Sequence, residues 1–214
     1  MLRFVGLGIS GADGIGSDVV KILKKADLVF LEIFTSPITK SELTKIKKIV
    51  KGEFKTAPRW LVEDGKAILK EAKKKDVVLL SYGDPYIATT HIELRTRAIL
   101  EKIKTKTIHA ASAITSLIGE CGLHFYKIGK VVTMMKEQQS ASSVYYTIYD
   151  NLIAGNHTII ILEFNNDAKF FLDPKDALSN LLLTESEQKR KVIDDSTFAI
   201  VASRIGSKNQ KITA

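Results

Sequence analysis

The chain opens on a short apolar run, "LRFVGLG" (2–8), that ends in glycine. A run apolar at every position and bounded by turn residues predicts a strand buried on both faces. The same signature recurs in "DLVFLEIF" (27–34), in "DVVLLSY" (76–82) and, more weakly, in "EFKTA" and "KTKTIHA". Between these runs lie "SDVVKILKKA", "ITKSELTKIKKIV", "WLVEDGKAILKEAKKK" and "THIELRTRAILEKI". Their apolar residues return at helical spacing with lysines between, which predicts amphipathic helices. Ser17 reads as the N-cap of the first helix, and Gly65 weakens the third. Strands alternating with amphipathic helices predict an α/β domain with a mostly parallel sheet.

The pattern changes near residue 109. "SAITSLIGECGLHFY" is apolar but broken by glycines, and "KVVTMM" reads as a strand. "SSVYYTIYDNLIAG" reads as a helix closed by Gly155. "HTIIILEF" predicts a buried strand, "KFFL" a short one and "TFAIVASRI" a last one. "DPKDALSNLLLTESEQK" opens with Asp173 as cap and Pro174 in the first turn, a helix start. The chain is thus expected to form two α/β domains, residues 1–109 and 110–214.

Composition changes this picture little. Hydrophobic residues make up 45% and charged residues 26% of the 214, which fits a globular protein. No apolar run reaches the roughly 18 residues of a membrane helix, and the N-terminus has no charged leader of the signal-peptide kind. One cysteine, Cys121, cannot form an internal disulfide, which points to a reducing, cytoplasmic setting. The formal charge of +8 admits a nucleic-acid partner, but the lysines are spread over several helices as solvated faces are.

Three features carry candidate chemistry. "GLGISG" (6–11) matches the G-x-G-x-x-G dinucleotide fingerprint after a strand, with Glu32 placed as a ribose-binding acid would be. Gly14 and Gly16 delay the helix, however, so its N-terminus falls too late to meet a pyrophosphate in the usual way. "SYGDPYIATTHIELRTRA" (81–98) sets Asp84 between Gly83 and Pro85 at a strand's carboxyl end. Ligands of open parallel sheets bind at such ends, yet Asp84 could equally start an ordinary Asx turn. His91 and His124 are candidates for acid–base work, although a lone histidine is more often structural. No Cys, His and carboxylate spacing suggests a metal site.

"FVGLGI", "KKADLVFLEIFTS", "GDPYIATTHIELRTRA" and "GECGLHFYKIGK", in this order, resemble the diphthine synthases, S-adenosylmethionine-dependent methyltransferases of the tetrapyrrole-methylase type. "GDP" alone would fit the wider fold, whereas "GDPYIATTHIELRTRA" combined with the later "GLHFYKIGK" is much more specific, and the resemblance rests on that combination. The resemblance implies two α/β domains, the second with a mixed sheet, and S-adenosyl-L-methionine in the cleft between them. It implies a cytoplasmic homodimer that methylates the amino group of a modified histidine of translation elongation factor 2, in diphthamide biosynthesis. Neither membrane nor nucleic acid is required. The cofactor contacts it implies are Ile9, Asp84, Ile87, Ser112, Ala113, Leu162 and Ala202. Asp84 would orient the cofactor, so that Asp84→Ala weakens binding with little loss of fold. No general base is evident beyond His91 as a candidate. Thr89, Thr90, Arg95 and Arg97 could meet a substrate carboxylate, or the two arginines could cover the helix surface. The chain stops at "KNQKITA", where the family pattern continues, so the second domain is expected to be incomplete. A corrin or sirohaem methyltransferase, a nicotinamide-dependent dehydrogenase and a basic RNA-binding protein are the competing readings.

Overall fold

The computed structural model describes all 214 residues. The elements in chain order are β1 (Leu2–Gly6), α1 (Ser17–Lys25), β2 (Leu28–Glu32), α2 (Lys40–Ile49), β3 (Glu53–Ala57), α3 (Arg59–Asp64), α4 (Lys66–Ala72), β4 (Val77–Ser81), α5 (His91–Leu100) and β5 (Thr105–Ile108). They are followed by α6 (Ala113–Glu120), β6 (Val132–Met134), α7 (Gln138–Ile153), β7 (Ile160–Leu162), β8 (Phe164–Asn165), β9 (Phe170–Phe171), α8 (Pro174–Gln188), β10 (Val201–Ser203) and β11 (Lys211–Thr213). Two compact units result. Met1–Ser116 joins Arg204–Gln210 in the first, and Leu117–Ser203 joins Lys211–Ala214 in the second.

The first unit is built on a parallel five-stranded sheet in the order β3-β2-β4-β1-β5. Side chains alternate across a strand, so each strand feeds two cores. Leu2, Phe4, Leu28, Phe30, Val77 and Leu79 pack on one face with Val62, Ile68 and Leu69 of α3 and α4 and Leu94 and Ala98 of α5. Val5, Val29, Leu31, Val78 and Leu80 pack on the other with Val19 and Leu23 of α1 and Ile46 of α2. Burial on both faces explains why these strands read as unbroken apolar runs.

Local differences from the expected boundaries have local causes. The first strand stops at Gly6, because Gly8 takes φ +76° and turns the chain. Gly16, not Ser17, is the N-cap of α1, and its carbonyl accepts from Val20 N. Gly65, at φ +62°, splits the expected single helix into α3 and α4. A side chain there would meet Leu94 Cδ1 at 2.5 Å, so the break is also a close contact with α5.

In the second unit, α7 and α8 enclose a core of Met134, Val144, Tyr145, Leu172, Leu181, Val192 and Ile193. Asp173 caps α8 by accepting from Lys175 N at 2.8 Å, with Pro174 in the first turn. In place of one mixed sheet there are three two-stranded ladders: β6 with β7 in parallel, and β8 with β9 and β10 with β11 antiparallel. The strand expected to be buried, β7, is only half-buried, and β10 is largely exposed.

Candidate functional site at the carboxyl end of the parallel sheet

Strands β1 and β4 are neighbours, and their onward connections leave in opposite directions: β1 leads toward β2 and β3, β4 toward β5. Such a switch point opens a crevice outside the carboxyl ends of the strands. Here the crevice is flanked by the glycine-rich loop after β1 and the 82–90 turn after β4. The two loops are joined by paired backbone hydrogen bonds, Gly8 N to Gly83 O at 3.2 Å and Gly83 N to Gly8 O at 2.9 Å. The last residue of β1 must be glycine. A Cβ on Gly6 would lie 2.5 Å from Gly83 O, 2.8 Å from Ala110 Cβ and 3.2 Å from Pro85 Cδ. The segments after β4 and β5 therefore close over the end of β1 at a distance only a bare backbone allows.

Asp84 is the node of this closure. Its side chain is buried, yet both oxygens are engaged. Oδ1 accepts from Tyr86 N at 2.9 Å, an Asx turn. Oδ2 accepts from Ala110 N at 3.2 Å and pairs with His109 Nδ1 at 2.8 Å. The turn and ligand-holding readings of the sequence thus meet in one residue: the carboxylate shapes its own turn and fixes the chain after β5. His109 is its outward partner. The His109 side chain is 68% exposed, and that of Asp84 only 5%. Tyr86 supports the arrangement by stacking edge-on with His109 and sharing a hydrogen bond with Thr107 Oγ1 at 2.9 Å. Burial raises the Tyr86 phenol above its usual pKa, so it stays neutral.

A cavity of about 440 Å³ opens beside this node, lined by residues 6–10, Gly14, 16–19 and 108–111. Its volume falls within the ~300–1,000 Å³ of small-molecule sites. Much of its wall is glycine backbone, with apolar side chains from Leu7, Ile9, Val19 and Ile108. Such a wall offers a small ligand backbone polar groups at close approach and an apolar surface beside them. Asp18 and His109 are the titratable side chains that line it. Asp18 is well exposed and paired with Lys21 at 2.9 Å.

Of the implied cofactor contacts, Ile9 lines the cavity, and its side chain also packs against Gly206, where a Cβ would come within 2.5 Å of it. Ser112 and Ala113 follow the cavity-lining Ala111 directly. Ser112 is buried and opens α6, with Oγ accepting from Ile114 N at 3.2 Å and its carbonyl from Ser116 N at 2.9 Å. Ile87 is half-buried in the turn after Asp84 and is not among the lining residues. Leu162 and Ala202 belong to the second unit, half-buried in β7 and β10, opposite Met134 and Ile212.

His91 does not face the cavity. It is fully buried, with Nδ1 3.0 Å from Pro85 O and its ring edge-on to Phe34. Burial pushes its pKa down, against the opposing pull of Glu32, so it is a neutral ring inside the core. A ring without solvent access cannot exchange protons with a substrate in this conformation, which removes the one base named from sequence. Glu32 is also buried, accepting from Phe34 N at 3.1 Å and Thr35 N at 3.0 Å, and from Thr35 Oγ1. Its carboxylate is committed to its own loop, which removes the ribose-binding acid of the dinucleotide reading. Arg97 donates to the carbonyls of Glu63 and Asp64 at the end of α3, and Arg95 lies over the Tyr86 ring at 6.0 Å. Thr89 Oγ1 donates to Pro85 O, and Thr90 precedes α5 without a side-chain cap. His124 is exposed and Cys121 half-buried. Reasoning from sequence missed His109. The available signal was its place directly after a strand that borders β1.

A family model described as tetrapyrrole (corrin/porphyrin) methylases matches residues 1–214. A curated protein of Methanococcus vannielii named diphthine synthase is 34% identical over 210 residues, covering 97% of this chain and 82% of its own length. One of Methanocaldococcus jannaschii with the same name is 33% identical over 217 residues, covering 99% and 84%. A solved structure titled as that of a diphthine synthase aligns with a TM-score of 0.81 at 28% identity, covering 99% of this chain and 80% of that chain.

Proposed function

The chain belongs to the diphthine synthases, within the tetrapyrrole methylase family, and on that premise we propose the reaction it performs. It is a methyltransferase of diphthamide biosynthesis. It methylates the amino group of the aminocarboxypropyl-modified histidine on translation elongation factor 2, to give diphthine. The single observation that supports this most is the glycine-walled cavity at the β1–β4 switch point, at the end of the sheet where such folds bind ligands. The same reading has the protein act in the cytoplasm as a homodimer. No helix is long and apolar enough to cross a membrane.

S-adenosylmethionine, when bound, supplies an activated methyl group on a sulfonium. Little covalent work then remains for the protein, and positioning dominates: an amine held about 3–3.5 Å from the methyl carbon and in line with the breaking bond. In the first unit, Gly6 lets the segments after β4 and β5 close over the end of β1, Gly8 turns the chain beside the cavity, and Ile9 gives the ligand an apolar surface. The buried Asp84 holds the 109–112 segment in place across the end of β1. Ile87, in the turn after Asp84, and Ser112 and Ala113, directly after the cavity-lining Ala111, are the further cofactor contacts of this reading.

Calorimetric titration with S-adenosylhomocysteine tests the cofactor, and transfer of a labelled methyl group to elongation factor 2 bearing the aminocarboxypropyl-histidine tests the substrate. Saturable binding and labelling are expected. Binding with labelling of a tetrapyrrole instead would move the function to corrin or sirohaem methylation. Stabilisation by NAD, with no response to S-adenosylhomocysteine, would overturn the methyltransferase reading.

A further inference from the structure

We propose that His109 is the catalytic base, accepting the proton that the substrate amine must lose. The inference rests on the reading of the cavity as the methyl-transfer site and adds to it the group that makes the amine nucleophilic. Three observations carry it. First, only two titratable side chains line the cavity, and Asp18 is exposed and engaged by Lys21. Second, His109 Nδ1 faces the buried carboxylate of Asp84 at 2.8 Å. That carboxylate is itself held by Tyr86 N and Ala110 N, so it is a fixed acceptor. An imidazole facing an acceptor at Nδ1 keeps its proton there and presents the lone pair at Nε2. Third, the ring is largely exposed, so Nε2 is open to a substrate and can return its proton to water.

The step balances simply. The substrate ammonium passes one proton to His109 Nε2. The freed lone pair on nitrogen forms the bond to the methyl carbon as the carbon–sulfur bond breaks, and that electron pair leaves with sulfur. The imidazolium, still hydrogen-bonded to Asp84 through Nδ1, then gives its Nε2 proton to solvent. Any further methylation would repeat the cycle for as long as the alkylated nitrogen still carries a proton to lose.

The test combines footprinting with kinetics. Diethylpyrocarbonate modifies the unprotonated imidazole nitrogen, and peptide mass mapping reads each histidine separately. In the wild-type protein His109 should react readily, and saturating S-adenosylhomocysteine should slow it at least about tenfold while leaving the exposed His124 unchanged. His109→Gln should bind S-adenosylhomocysteine within about threefold of wild type yet lose about 100-fold or more in kcat, the usual range for removing a general base. Imidazole added to His109→Ala should restore part of that rate, which a purely structural role would not allow. Wild-type protein that binds no S-adenosylhomocysteine would take down the methyltransferase reading and this inference together. Binding with unaltered footprinting of His109, or a His109→Gln enzyme at near wild-type rate, would overturn the inference alone.

Discussion

Each unit of the molecule contains a carboxylate that gathers backbone N–H groups, and the two differ in what else they hold. In the second unit Glu185 accepts from Lys191 N at 2.8 Å, Val192 N at 2.7 Å and Ile193 N at 3.0 Å. Its remaining partner is the hydroxyl of Tyr145, a fully buried core residue, at 2.9 Å. In the first unit Asp84 accepts from two backbone groups and then from His109, whose ring stands in solvent beside a cavity. The device is the same: an acceptor that pins a loop by its amides. Glu185 turns its last contact inward and only closes α8 onto the chain that follows. Asp84 turns its last contact outward and so presents a base. Between these two carboxylates, the direction of the final partner is what sets the proposed working role apart from the structural one.

The largest effect should follow from breaking the first-unit node. Asp84→Ala leaves the Tyr86 and Ala110 amides without their acceptor and releases the segment that closes over Gly6. Both hydrogen bonds are part-buried, so each amide left without its acceptor costs toward the lower end of about 1–3 kcal/mol, and a loss of about 2–3 kcal/mol in urea unfolding is expected, together with loss of S-adenosylhomocysteine binding. Sequence alone suggested that this substitution would spare the fold, and the burial of the side chain revises that expectation. Wild-type stability and affinity in the variant would show the node to be dispensable and would dissolve the contrast with Glu185.

A sharper form of the comparison lies within the first unit, where the 83–86 turn meets two histidines. His109 touches its carboxylate from the solvent side, and His91 touches its Pro85 carbonyl from the core. Burial holds His91 below its ordinary pKa of 6.5 despite the charge of Glu32. The unfolded chain therefore takes up a proton at higher pH than the folded one. The stability contributed by a neutral His91 is fully present above about pH 6.5 and is lost as the pH falls from there toward the depressed folded value. Within that window the loss approaches about 1.4 kcal/mol per pH unit. His91→Gln should flatten this dependence when unfolding midpoints are compared at pH 7.5 and pH 5.5. Equal slopes for the two proteins would mean that His91 titrates alike in the folded and unfolded chain, and its reading as a ring that burial keeps neutral would fall.

The elements of the first unit were legible in the chain because a strand covered on both faces leaves an unbroken apolar run. The start of α8 was legible because Asp173 and Pro174 act within one turn. What escaped notice depended on distant parts meeting. Gly65 looked like a weak point inside one helix, and its role as a break set against Leu94 appears only once α5 is in place. His109 and Asp84 are 25 residues apart and become partners only because β4 and β5 both flank β1. His91 drew attention by standing closer in sequence to Asp84, yet the first turn of α5 carries it into the core. The second unit was read less well because its strands pair on one side only, and a half-buried strand such as β7 shares its apolar run with a buried one.

The smallest effect is expected at the inward end of the second node. Tyr145→Phe keeps the ring in the core and removes the hydroxyl that Glu185 accepts, a loss of about 1 kcal/mol. Glu185 keeps its three amides. Desolvation opposes ionisation of Glu185, but those donors and the hydroxyl outweigh it and hold its pKa below the ordinary 4.5. Its contribution is therefore present above about pH 4.5 and declines as the pH falls below that value. The variant should show a slightly lower urea midpoint at neutral pH, a smaller acid sensitivity, and unchanged affinity for S-adenosylhomocysteine. That last term carries the comparison. If Tyr145→Phe weakened cofactor binding as Asp84→Ala is expected to, the inward-facing carboxylate would be part of the working site, and the direction of a carboxylate's last partner would no longer tell the two kinds apart.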